Sequence, residues 1–213
     1  MPLAEAPPAV RSALLGRARA LAAFSLAWNV GEGVIALVAA WASGSRALGA
    51  FGVDSGVESI SAAVLLWRLG VERRDPQRAE IGERRALRAI GLSFLALAAL
   101  VMVEALRSLA LREEPSASRL GIALTALSLV VMPFLARAKR RVAVDLGSRA
   151  AEADSAQTTA CAYLSAVVLV GLALNATLGW WWADPVAALG VVWFLVAEGR
   201  EAMRSEHLDD CCG

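Results

Sequence analysis

Between Ala20 and Gly199 the sequence is a succession of apolar runs, each about 20 residues long and separated from the next by a short polar break. A helix rising ~1.5 Å per residue needs that length to cross a hydrocarbon core of ~30 Å. Lipid offers the backbone no hydrogen-bond partners, so runs of this kind predict helices that satisfy their own N–H and C=O groups. The expected fold is an all-α membrane protein with six transmembrane helices, at about 20–42, 46–67, 87–110, 118–136, 149–176 and 183–199. Turn-forming residues mark the breaks: Ser43-Gly44-Ser45, Glu113-Glu114-Pro115-Ser116 and Gly179 to Pro185. The expected organisation is a cytoplasmic segment 1–19, a transmembrane domain 20–204 and a cytoplasmic tail 205–213, with neither end long enough for a folded soluble module.

Charge distribution sets the expected orientation. The formal net charge is only +1, which provides no general attraction to nucleic acid. The second connection carries Arg68, Arg73, Arg74, Arg78, Arg84, Arg85 and Arg88, and the fourth carries Arg137, Lys139, Arg140, Arg141 and Arg149. The first holds only Arg46, the fifth holds no basic residue, and Arg112 and Arg119 of the third are offset by Glu113 and Glu114. The positive-inside rule therefore predicts cytoplasmic N- and C-termini. Trp180, Trp181 and Trp182 fall at the expected outer surface, where aromatic belts form. No secretory leader with a small-residue cleavage site is expected ahead of the first span. Cys161 lies in an apolar run and Cys211 and Cys212 are adjacent, which does not suit a disulfide scaffold.

Two carboxylates interrupt the second run. Asp54 and Glu58, spaced i, i+4, share one helix face. An ionisable group at the bilayer centre costs at least about 2.5–3.5 kcal/mol and usually faces an ion or substrate path. Paired anionic oxygens there point to a cation. No basic residue is expected at mid-span to neutralise them. The structural alternative is a pair of buried acids satisfied by hydroxyls or arginine.

The fifth run opens with Asp154, Gln157 and Cys161 within a sector of about 60°. An offset of 103 residues aligns Ser45-Arg46-Ala47 with Ser148-Arg149-Ala150, Asp54 with Gln157, and Glu58 with Cys161. The two runs start on opposite sides of the membrane. The match thus suits a 3+3 inverted repeat, a plan used by transporters. At ~1.5 Å per residue, Asp54 lies about 12 Å below its outer helix end and Cys161 about 18 Å above its inner one. In a ~30 Å core Asp54 then levels with Cys161, and Glu58 with Gln157. The four side chains are candidates to close around one ion near the midplane.

Other polar residues have plainer readings beside the functional ones. For Cys161 the alternative is a small packing residue, and for Gln157 a hydrogen bond across helices. Asp154 suits a cap, a hydrated vestibule or an ion relay. Asn29 and Glu32, spaced i, i+3, form a second polar face, with Glu32 a proton carrier, an outer-shell group or a structural hydrogen-bonding residue. Glu104 is expected to pair with Arg107. Gly49, Gly52 and Gly56 suit close helix packing, and Pro185 suits the first turn of the sixth helix. The tail gathers His207, Cys211 and Cys212 with acidic residues, a donor set matching zinc chemistry, with a flexible end as the alternative.

Three segments together resemble the cation diffusion facilitator, or cation efflux, family. They are Val53-Asp54-Ser55-Gly56-Val57-Glu58, Ala153-Asp154 with positions 157 and 161, and Trp182-Ala183-Asp184-Pro185. The resemblance spans roughly residues 20–200. It implies divalent-metal binding by paired residues of the second and fifth helices, here Asp54, Glu58, Gln157 and Cys161. It also implies a homodimer, no cofactor, and metal as transported substrate. The family's usual His and Asp on the fifth helix are replaced by Gln157 and Cys161. No C-terminal cytoplasmic metal-binding domain is expected, as in the short bacterial branch of that family.

A thiolate disfavours magnesium and calcium and favours zinc, cadmium or cobalt. An Asp–Glu–thiolate set carries more negative charge than a divalent ion neutralises, so protonating one ligand as metal leaves would couple efflux to proton entry. The leading expectation is a proton-coupled divalent-metal exporter of the cytoplasmic membrane, with zinc or a similar ion as cargo. A membrane metal-binding or sensing protein that does not transport is the alternative. An enzyme is not expected: no Ser/His pair, HExxH motif or facing Asp pair in a catalytic context is present.

Overall fold

The structure, a computed structural model, describes residues 8–43, 46–113 and 119–204. His207, Cys211 and Cys212 lie outside the described residues. Among the described residues there are six long helices and no strand. They are α1 (Pro8–Ser43), α2 (Arg46–Arg74), α3 (Ala79–Leu111), α4 (Arg119–Leu146), α5 (Arg149–Leu178) and α6 (Ala183–Arg204). A single 3-10 turn, Pro76–Arg78, links α2 to α3.

The helices outrun the apolar segments. The arginine-rich second connection is almost wholly helical, and α3 begins at Ala79 instead of near residue 87. Glu80, Glu83, Arg84 and Arg85 are good helix formers, so the helix continues where hydropathy stops. Likewise α4 runs on to Leu146, through Arg137 to Arg141. Five helices, α1 to α5, are long and apolar enough to cross a bilayer. The sixth forms where expected, with Pro185 in its first turn, but Asp184 and Glu198 bound its uninterrupted apolar stretch.

The exterior is greasy and much of the interior polar. Val38, Val103, Phe134 and Trp193 are exposed, as suits side chains facing lipid. Phe94, Leu69, Ile90, Met132 and Leu195 are fully buried, but so are Asn29, Glu58, Asp154, Gln157 and Thr158. The main packing pairs are α1 with α2, α4 with α5, and α3 with α6, and α2 also meets α5.

Small residues bring some helices together. A Cβ on Gly52 would lie 2.7 Å from Leu37 Cγ and 3.3 Å from Gly33 O, so α1 and α2 cross closely there. Gly49 has only an ordinary contact with Ala40, and Gly56 has open space, so the expected packing role falls on Gly52. At the other hairpin a Cβ on Gly171 would meet Asp184 Cβ at 2.4 Å and its Cα at 2.9 Å.

One end of the bundle is tied by charge. Glu72 accepts from Arg11 Nε at 3.0 Å and pairs with Arg68 at 2.7 Å. Arg68 also pairs with Glu83 of α3. Glu83 in turn accepts from Ser148 Oγ at 3.0 Å and Ala150 N at 2.7 Å, while Ser148 Oγ accepts from Ala151 N. The start of α5 is thus capped twice, by its own serine and by a carboxylate from α3. At the far end of α3, Arg107 faces Glu113 at 3.9 Å instead of the expected Glu104. Pro133 lies inside α4, between Ser128 and Lys139.

Candidate metal site

Asp54 and Glu58 lie one turn apart on α2 and both are buried. Facing them on α5 are Thr158 and Cys161, also buried, with Gln157 buried beside Thr158. The two helices run antiparallel past each other, so a step up α2 is matched by a step down α5. Cys161 is coupled electrostatically to Asp54 and Glu58. One turn further along α2, Glu58 Oε1 accepts from Thr158 Oγ1 at 2.7 Å. A further turn brings Ser61 Oγ to Asp154 Oδ1 at 3.1 Å.

Helix α1 adds a third wall. Glu32 is buried and its charge is felt by both Asp54 and Cys161. One of its oxygens accepts from Ser128 of α4 in a short hydrogen bond, which holds the side chain inward. Asn29, one turn away, is buried with its amide nitrogen 3.5 Å from Ser25 Oγ.

Gln157 is turned toward α3. Its Oε1 lies 3.1 Å from Ser93 Oγ, which itself donates to Ile90 O at 2.7 Å. A serine hydroxyl has one proton, and the shorter contact takes it. Gln157 Oε1 thus has at most a shared proton from Ser93, and its amide nitrogen has no partner.

Several buried oxygens here have no hydrogen-bond partner: Asp54 Oδ1, Glu58 Oε2, Glu32 Oε2 and Asn29 Oδ1. Buried polar atoms are rarely left this way. Trp28 Nε1 and Gln157 Nε2, both donors, are unpartnered as well, and the Cys161 thiol stands against the Asp54 and Glu58 carboxylates. Among the described residues, no three or more His, Cys, Asp and Glu side chains converge tightly enough to hold a metal ion as they stand. Ligation requires rotation of these side chains and a contribution from a neutral donor such as Gln157.

Lys139, expected in the fourth connection, is instead a buried cation paired with Asp154. It lies on α4, not in a connection, and is almost wholly buried. Its Nζ stands 2.8 Å from Asp154 Oδ2 and 2.9 Å from both Ser25 Oγ and Thr158 Oγ1. Asp154 is therefore a buried ion-pair partner and does not cap α5, whose N-cap is Ser148. A lysine flanked by Arg137, Arg140 and Arg141 carries the signature of a connection, and only its pairing with α5 reveals otherwise. Thr158, a link between Lys139 and Glu58, was equally silent: a threonine next to a candidate ligand has no spacing of its own to mark it.

Long apolar helices around a polar, acid-lined interior define a polytopic membrane protein that handles a cation. The cation efflux transmembrane domain matches residues 22–208, and the chain belongs to the cation efflux (cation diffusion facilitator) family of cation transporters. No curated protein matches the chain.

Proposed function

We propose that the chain exports a divalent metal, zinc or a close chemical relative, across the cytoplasmic membrane in exchange for protons. The site is Asp54 and Glu58 of α2 with Gln157 and Cys161 of α5, and Glu32 and Asn29 of α1 stand beside it. The observation that carries this reading is the burial of three carboxylates, Glu32, Asp54 and Glu58, about the Cys161 thiol. Carboxylates supply charge, the thiolate selects softer ions, and the Gln157 carbonyl completes the set. A metal-bound thiol must lose its proton, so loading releases protons and unloading takes them up. The arginine distribution supports cytoplasmic termini, and family membership supports export and a homodimer. No catalytic chemistry is assigned.

The test is stopped-flow zinc flux in proteoliposomes under a proton gradient. Flux in the parent protein and its loss in Asp54→Ala and Cys161→Ala are expected. Unchanged flux in both variants would remove the four-residue site. Saturable zinc binding with no flux in the parent would favour a metal-binding or sensing protein.

A further inference from the structure

The Lys139 ammonium sits in a shell made wholly of oxygen. Its Nζ donates to Ser25 Oγ and Thr158 Oγ1 at 2.9 Å each and forms an ion pair with Asp154, whose Oδ2 lies 2.8 Å away. These oxygens come from α5 and α1, while the lysine comes from α4. A charge buried in the lipid-embedded part of a protein is costly and commonly marks an ion path. Replacing such a pair by apolar side chains is often neutral or stabilising, so stability alone is a weak reason to keep it.

We propose that Asp154, Ser25 and Thr158 form a second, transient cation site, which the Lys139 ammonium occupies here and yields to the transported divalent ion. The proposal rests on the metal-transport reading above. Thr158 belongs to both sites: it accepts from Lys139 and donates to Glu58. The cradle is therefore one hydroxyl away from Glu58, on the side toward the start of α5. A small cavity beside it is lined by Lys139 and Asp154 together with apolar side chains that include Leu21, Leu65 and Val142.

The donor chemistry makes this site weaker than the one at Asp54. One carboxylate and two hydroxyls leave a divalent ion under-neutralised, and they include no soft ligand. Asp54, Glu58 and Cys161 supply more charge and a sulfur. An ion entering from the α5 start thus meets a weak oxygen site first and a stronger one next. The tethered ammonium returns to Asp154 when the ion moves on, so the carboxylate is never left bare. Bound permanently, the same lysine would be a fixed structural counter-ion.

Lys139 is the only lysine in the chain, which allows a test on the unaltered protein. The purified protein is treated briefly with a small amine-acylating reagent, with and without saturating zinc, and modification of Lys139 is read by peptide mass spectrometry. Displacement by metal predicts modification several-fold faster with zinc. An equal or slower rate with zinc overturns the proposal and marks a fixed counter-ion. Zinc titration of Lys139→Ala is the second measurement. One further equivalent should bind, and it should disappear in Lys139→Ala/Asp154→Ala; no gain in a folded Lys139→Ala also overturns the proposal. Failure of the Asp54 site shows separately, as zinc affinity unaffected by Asp54→Ala.

Discussion

Thr158 donates to Glu58 Oε1 at 2.7 Å, a bond between the middle of α5 and the middle of α2. The same hydroxyl oxygen accepts from Lys139. A single side chain thus carries polarisation between a candidate ligand and a buried cation. Thr158→Val preserves shape and removes both bonds. It leaves Lys139 Nζ and Glu58 Oε1 each short of a partner, at roughly 1–3 kcal/mol per buried group. Thermal unfolding in detergent should show a clear drop in midpoint, whereas Thr158→Ser should recover most of it.

Cys161 supplies the one soft donor of the proposed site. Cys161→Ser replaces sulfur with oxygen at nearly constant size, so preference should shift away from cadmium more than from zinc. Competition binding with the two metals checks this. An unaltered cadmium-to-zinc ratio would mean that the thiol does not touch the ion.

Zinc binding should release protons, because a thiol ligates only as thiolate. Affinity should therefore rise with pH until the ligands are deprotonated and fall as pH is lowered. Calorimetry in two buffers of different ionisation enthalpy would count the protons, and Cys161→Ala should release fewer than the parent protein. Equal proton counts would place the titrating ligand elsewhere.

The glycines separate cleanly. Gly171→Ala forces a Cβ to 2.4 Å from Asp184 Cβ and 2.9 Å from its Cα, so backbone must move and α5 and α6 spread. Overpacking of this sort costs typically about 1–3 kcal/mol. Gly56→Ala meets nothing within 4 Å and gains up to roughly 1 kcal/mol of helix propensity. Comparing unfolding midpoints of the two variants tests both signs.

Glu83 both caps α5 and neutralises Arg68. Ser148→Ala removes one capping acceptor, at about 1 kcal/mol. Glu83→Ala removes another and also one of the two carboxylates on a buried guanidinium, so it should cost more. Denaturation of the two variants side by side measures the difference.

Much of the bundle could be read along the chain, and the reasons are physical. Lipid requires long apolar helices, so their number and spacing follow from hydropathy. Glu58, expected level with Gln157, accepts from the neighbouring Thr158. Helix ends were less legible, because hydropathy marks where lipid stops and not where the helix does, as the start of α3 shows. Lys139 was misread for the same reason. Its surroundings are basic and its partner is on another helix, so its burial depends on Asp154, Ser25 and Thr158 in three dimensions. Glu32 and Ser128 belong to the same class, since nothing in either run announces the other.

Pro133 has a consequence for α4 as a whole. Proline has no N–H to donate and its ring crowds the preceding turn, so the helix is weakest there. On one side of that joint Ser128 grips Glu32; on the other Lys139 grips Asp154. The two grips, on Glu32 and on Asp154, therefore sit on opposite sides of the point where the α4 hydrogen-bond ladder lacks a donor.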